Sequence, residues 1–147
     1  MRAPTDAQLT EREELTRAKV TRLLEADAGD REPVAERYGT VVSAYCADSA
    51  TADHATWEAY MRHIAGLVRP DGVFITAALR RSRSYLVGGK AFPSADVDEH
   101  DLRAVLEPDF DCEIAVREVP EHARLGYAGI VLVRASRRRP ASAPARA

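Results

Sequence analysis

The spacing of apolar residues changes several times along the chain, and each change predicts an element. From Asp53 onward Trp57, Tyr60, Met61, Ile64, Leu67 and Val68 recur at intervals of three and four, one stripe of an amphipathic helix. Thr51 or Asp53 is placed to cap it, and Arg69-Pro70-Asp71-Gly72 reads as its stop. The run VFITAAL that follows shows no alternation, which predicts a strand buried on both faces, as in a parallel sheet. Upstream, Thr10 and Glu13 form a T-x-x-E capping pair for a helix from about Glu11 to Ala18. Val20 to Ala26 reads as a short strand ending in the turn Asp27-Ala28-Gly29-Asp30, and Thr40 to Tyr45 as another. Downstream, a loop with Gly88 and Gly89 precedes a helix from about Asp98 to Glu107, stopped by Pro108. Cys112 to Val119 alternates and Gly129 to Val133 is an apolar run, so both read as strands. The order α-β-β-α-β-α-β-β predicts an α/β chain with a largely parallel sheet and a final antiparallel strand pair.

Composition adds limits. The 147 residues allow one domain and one sizeable core, with 46% apolar and 30% charged residues. The last segment, Ser136 to Ala147, is Arg, Pro, Ala and Ser with nothing to bury, so residues 1–135 are expected to be ordered and 136–147 a disordered tail. Arg137 to Arg139 read as a solvated end rather than a phosphate contact. A net charge of −2 gives no reason to expect nucleic acid, and no run approaches membrane-spanning length. Cys46 and Cys112 lack metal or redox spacing, which fits a reducing cytoplasm.

In open α/β sheets ligands bind at the carboxyl ends of strands, here Asp27-Ala28, Ala44 to Asp48 and Ala78 to Ser82. Asp27 can accept from an exocyclic amine while the Ala28 N–H donates to a ring nitrogen, or Asp27 merely shapes the turn before Gly29. Tyr45 can stack on a ring. Cys46, with no His nearby in sequence, reads as a buried structural cysteine rather than a nucleophile. Asp48 either pairs with a cationic substrate or caps the next helix. The four histidines share no ligand spacing, and phosphate-cradling motifs are absent.

Together, VVSAYCADSATAD, LVRPDGVFITAAL, SRSYLVGGKAFPS and VDEHDLRAVL resemble the nicotinamide, phenylethanolamine and thioether methyltransferase family, class I enzymes that use S-adenosylmethionine. The resemblance covers about residues 10 to 135 and is carried most particularly by S-Y-L-V-G joined to S-A-Y-C-x-D. It implies methyl transfer to N, S or O of a small molecule. By position it implies cofactor contacts at Asp27, Ala28, Ala44, Tyr45 and Cys46, and an acceptor pocket lined by Tyr45, Asp48, Ser82, Tyr85 and Ser94. No residue is expected to do acid–base work; alignment of the acceptor would supply the acceleration. Where some relatives carry acidic groups, this chain reads Ala78, Leu79, Arg80, Arg81, which points away from a protonated amine and toward an anionic or neutral acceptor.

The family's first strand, glycine-rich cofactor loop, ribose-holding acid and N-terminal lid have no counterpart here. The expectation is therefore a partial Rossmann-like sheet lacking its first two strands, with Val20 to Ala26 as the third strand and Thr40 to Tyr45 as the fourth. That fourth strand would present an unpaired edge. The chain then reads as a truncated product, a mis-called start or half of a split protein, completed by an N-terminal half or associating with itself. A non-catalytic remnant acting as an association module is the alternative.

Overall fold

A computed structural model describes residues 5–119 and 126–138. Helix α1 (Asp6–Lys19) is capped by Thr5, whose side chain accepts from the Gln8 N–H while Gln8 reaches back to the Thr5 N–H. The cap therefore lies five residues before the expected Thr10, whose hydroxyl instead donates to the Asp6 carbonyl inside the helix. No α1 side chain is buried. Residues 20–26 form no strand, which corrects the reading of Val20 to Ala26: among the described residues no neighbouring strand meets their N–H and C=O groups, and Leu23 is 89% exposed.

The main sheet has four strands. Strand β1 (Tyr38–Ala44) pairs parallel with β2 (Val68–Arg80), which pairs antiparallel with β6 (Gly129–Arg137), itself antiparallel to β5 (Phe110–Glu118). Between β1 and β2 lies α2 (His54–Gly66), capped by Asp53, which accepts from the Thr56 N–H. Arg69-Pro70-Asp71-Gly72 does not separate α2 from the strand as expected. It lies within β2 as an irregularity, because Tyr38 faces Val68 while Thr40 already faces Val73. A Cβ on Gly72 would stand 2.9 Å from the carbonyl oxygens of both Arg69 and Gly39, so only glycine fits that close approach.

Residues 84–93 were expected as a loop and are a hairpin, β3 (Ser84–Val87) and β4 (Lys90–Pro93). Its two-residue turn is Gly88-Gly89, both at positive φ (58° and 80°), which glycine adopts without a steric cost. Helix α3 (Glu99–Leu106) is capped reciprocally by Asp98 and Asp101.

The core lies on one face of the sheet. Trp57, Met61 and Ile64 of α2 and Leu102, Val105 and Leu106 of α3 cluster with Phe74, Phe110, Val131, Val133 and Ala135. The opposite face is bare toward β1: Val42 is 66% exposed, Ile75 42% and Leu132 42%. VFITAAL is thus two-sided only in part: Phe74 and Thr76 are buried inward and Ile75 is exposed outward, while further along Ala77 and Ala78 are both buried.

Strand β6 continues past the expected tail boundary, since Ser136 pairs with Val73 and Arg137 with Phe110. Arg137 donates to the Gly66 and Val68 carbonyls and lies over the Phe110 ring, while Arg138 donates to the Glu107 and Pro108 carbonyls. These two arginines satisfy chain ends after α2 and α3 rather than a solvated tail. Residues 139–147 lie outside the described residues. No helix among the described residues is long and apolar enough to cross a membrane.

Candidate functional site

The carboxyl ends of β1 and β2 point to the same end of the sheet, and the candidate residues divide there into two groups. The first lines two adjoining clefts of ≈ 360 and ≈ 610 Å³, which share Ala26, Ala28, Pro33 and Cys46. Ala44 belongs to the smaller cleft and Asp27 to the larger. One Asp27 oxygen accepts from the Gly29 N–H at 2.7 Å, so the turn-shaping role is real and occupies one side of the carboxylate. The Ala28 carbonyl lies 2.9 Å from His63 Nδ1, which must carry the proton because a carbonyl only accepts. This gives His63, read from sequence as a helix residue without a ligand role, the job of anchoring the Ala28 turn to α2. Cys46 is an exposed free thiol, not a buried structural one. Tyr45 extends the ladder one step by donating to the Ala77 carbonyl at 2.8 Å, then turns the chain with φ of 54°. Its side chain is 40% exposed.

The second group is buried and hydrogen-bonded. Asp48 is 2% exposed. One of its carboxylate oxygens accepts from the Leu79 N–H at 3.0 Å, and its carbonyl accepts from the Ala95 N–H at 3.0 Å. It therefore joins the segment after β1 to the end of β2 and to the segment after the hairpin. It does not cap α2, because Asp53 does. Burial pushes the Asp48 carboxyl above its usual range, and the Leu79 N–H opposes that only in part. Ser82 is fully buried and donates to the Ser84 carbonyl, while its own carbonyl accepts from the Asp96 N–H. The Tyr85 hydroxyl donates to the Ser49 carbonyl at 3.1 Å, and its ring stacks on Phe92 at 5.5 Å. Ser94 is 3% exposed, its N–H donates to Arg83, and its hydroxyl has no partner among the described residues.

The structure thus gathers Asp48, Ser82, Tyr85 and Ser94 into one hydrogen-bonded neighbourhood. Asp27, Ala28, Ala44 and Cys46 form the other. Sequence reading missed Phe92, Ser49 and the Tyr60 wall of the larger cleft. Phe92 was within reach, since a two-residue Gly-Gly turn between Y-L-V and K-A-F puts it opposite Tyr85. Among the described residues no group of His, Cys, Asp and Glu is arranged to hold a metal ion.

The model of the NNMT/PNMT/TEMT family matches residues 2–138. The chain belongs to that family. Phenylethanolamine N-methyltransferase of Bos taurus is 27% identical over 139 residues, covering 87% of this chain and 49% of that enzyme. Indolethylamine N-methyltransferase of Oryctolagus cuniculus is 29% identical over 108 residues, covering 70% of this chain and 41% of the relative. The chain therefore spans less than half the length of these family members. Among solved structures, an S-adenosylmethionine-dependent methyltransferase from Clostridium acetobutylicum ATCC 824 superposes with a TM-score of 0.59 at 10% identity, over 92% of this chain and 73% of that one. The N-methyltransferase NodS from Bradyrhizobium japonicum WM9, in complex with S-adenosyl-L-homocysteine, gives 0.59 at 11% identity over 90% and 63%. At that identity the likeness shows the fold, a mixed α/β methyltransferase sheet with its separate strand pair.

Proposed function

We propose that the chain takes part in S-adenosylmethionine-dependent methyl transfer to a nitrogen, sulfur or oxygen atom of a small molecule. The observation that carries this is the placement of Asp27, Ala28, Ala44 and Cys46 on adjoining clefts at the carboxyl end of β1, in a chain of this methyltransferase family. The clefts fit the adenine end of the cofactor. Ala26, Ala28, Pro33 and Val34 offer apolar walls, and the Asp27 oxygen not held by Gly29 is left to accept from an exocyclic amine. The charged residues on these walls are Glu25, Asp27 and Asp30, all acidic, so the cofactor's methionine carboxylate finds no counter-charge there.

When bound, the cofactor would supply an electrophilic methyl group. The chain's own residues would bind and orient: Tyr45 beside the transfer path, and Asp48, Ser82, Tyr85 and Ser94 around the acceptor. None is needed as an acid or base, and positioning supplies the acceleration. The edge of β1, unpaired among the described residues, and the bare Val42, Ile75 and Leu132 face support a second polypeptide seated there, either an N-terminal half-domain or another copy of this chain. Association without catalysis is the competing reading. The free thiols of Cys46 and Cys112 support a cytoplasmic setting.

Calorimetric titration tests the cleft assignment. S-adenosylmethionine should bind the chain more weakly than micromolar, and adenosine nearly as well as the whole cofactor, because only the adenine end is held. Asp27→Ala should weaken both by about 1–2 kcal/mol, the cost of an unpaired adenine donor. If adenosine gives no saturable heat, the cleft is not a cofactor site.

A further inference from the structure

The turn that carries Asp27 and Ala28 has few polar groups, and nearly all of them are spent. The Asp30 N–H donates to the Asp27 carbonyl at 3.1 Å, which closes the turn with Ala28 and Gly29 at its centre. The Gly29 N–H donates to one Asp27 side-chain oxygen at 2.7 Å. The Ala28 carbonyl accepts from His63 Nδ1 of α2 at 2.9 Å. What remains without a partner among the described residues is a donor, the Ala28 N–H, and an acceptor, the second Asp27 oxygen, on residues that both line the larger cleft. Adenine offers the complement, an amine that donates beside a ring nitrogen that accepts. Hypoxanthine offers the reverse, a carbonyl that accepts beside a ring N–H that donates.

The Ala28–Gly29 peptide carries both the His63 bond and the Asp27 bond. The two commonest turn forms differ by rotation of this central peptide, and the rotated form needs positive φ at the third residue, which glycine adopts freely. Gly29 lies outside the positive-φ region here. The residue types therefore leave both forms open, and the contacts at the two ends of the peptide choose between them. Asp27 holds the N–H end from within the turn, while His63 holds the C=O end from a separate element. Tyr60, one helical turn before His63, backs the same peptide, its Cε1 standing 3.5 Å from where a Gly29 Cβ would lie. In the rotated form the Ala28 carbonyl would leave His63 and the Gly29 N–H would leave Asp27. The turn would then offer a further acceptor and a further donor, and its pattern would no longer suit adenine alone.

We infer that His63 is a positioning residue that fixes the Asp27–Asp30 turn in the form that reads adenine, and so sets the selectivity of the cleft for adenine over hypoxanthine. This rests on the assignment of Asp27 and Ala28 to adenine proposed above. It adds a residue of α2 that acts only through the Ala28–Gly29 peptide.

Adenosine and inosine, titrated against the ¹⁵N-labelled full chain and followed at the Ala28 and Gly29 amide resonances, test it. Wild type should bind adenosine about tenfold or more tightly than inosine. In His63→Ala that ratio should fall to about two or less, through the loss of one hydrogen bond. His63→Asn, whose amide donates from nearly the place of Nδ1, should restore most of it. A ratio unchanged in His63→Ala would overturn the positioning role while leaving the adenine reading in place. If adenosine moves neither resonance in wild type, the cofactor reading fails and this inference with it. The tautomer is an independent check that needs no variant. The ring ¹⁵N shifts of wild-type His63 should show a protonated Nδ1, and a neutral ring protonated only at Nε2 would overturn the inference.

Discussion

The two sides of the candidate site are built differently. Around Asp48, the group proposed for the acceptor, three separate segments are sewn together: the chain after β1 through Asp48, the end of β2 through Leu79, and the chain after β4 through Ala95. Its polar residues are almost wholly buried, with Asp48, Ser82 and Ser94 exposed by 2%, 0% and 3%. On the side proposed for the cofactor, Tyr45 is 40% exposed, the Cys46 thiol is exposed, and the clefts lie next to a strand edge that is unpaired among the described residues. The same division runs through the sheet, whose helix-covered face holds Phe74 at 0% and whose bare face holds Val42 at 66%. What separates the sides is whether the described elements can cover a surface, not its sequence character. Both faces of β2 are apolar, and only one found helices to pack on.

The sharpest way to break this comparison is to truncate neighbouring residues of β2. Phe74→Ala should cost about 3–5 kcal/mol, because a fully buried ring leaves a cavity between α2, α3 and the sheet. Ile75→Thr, one residue on, should change stability by less than about 0.5 kcal/mol. Urea denaturation of both variants checks it. Comparable losses would mean that the Ile75 face is covered in solution, which would locate a partner there.

A smaller effect is expected at the Asp48–Leu79 tie. Asp48→Ala leaves the Leu79 N–H without its acceptor and should cost about 1–3 kcal/mol. Asp48→Asn keeps an acceptor and should cost much less. The pH dependence has a definite sign: a carboxyl raised above its unfolded value favours the folded state while protonated, so Asp48 should make stability fall as pH rises through and above the usual carboxylate range. Asp48→Asn should remove that fall. A wild-type profile that matches Asp48→Asn across this range would show that Asp48 is no more costly to ionise when folded.

Much of this arrangement was legible in the sequence, and the failures have physical causes. Local signals served well: the stripe of Trp57, Met61 and Ile64 gave α2, and Asp98 with Pro108 bracketed α3. Strand β1 was legible because its β-branched residues meet a partner in β2. Val20 to Ala26 is also largely apolar but has no neighbouring strand among the described residues, and a strand exists only as part of a ladder. The partly one-sided burial of β2 was hidden for a related reason, since a run of apolar residues reports what could be buried, not what is available to bury it. The pairing of Arg80 with Glu99, nineteen positions apart, depends on α3 folding back beside the end of β2. From sequence those arginines looked free for an anionic ligand.

That pairing gives the smallest expected effect and a separate test of how firmly α3 is held against the end of β2. Two hydrogen bonds from Arg80 hold the Glu99 carboxyl well below its usual value of 4.5, at about 2. A depressed carboxyl contributes stability that is fully present above the unfolded value and is lost as pH falls through the folded one, so the relevant window runs from 4.5 down to about 2. Arg80 side-chain exposure is 14% and that of Glu99 24%, so solvent screens the pair in part, and a contribution of about 1 kcal/mol at neutral pH is expected. Glu118, 77% exposed at 3.7 Å, should add little. Arg80→Met would keep the apolar stem while removing both hydrogen bonds. It should be less stable than wild type at pH 7 and converge on it near pH 2. Because other carboxylates titrate in the same range, the quantity to follow is the difference between the two urea midpoints at each pH. A difference that shrinks on acidification places the Arg80–Glu99 link among the contacts that hold α3 against the end of β2. A constant difference would mean that Arg80 acts there through packing alone, and its cation would again be available to a bound anion.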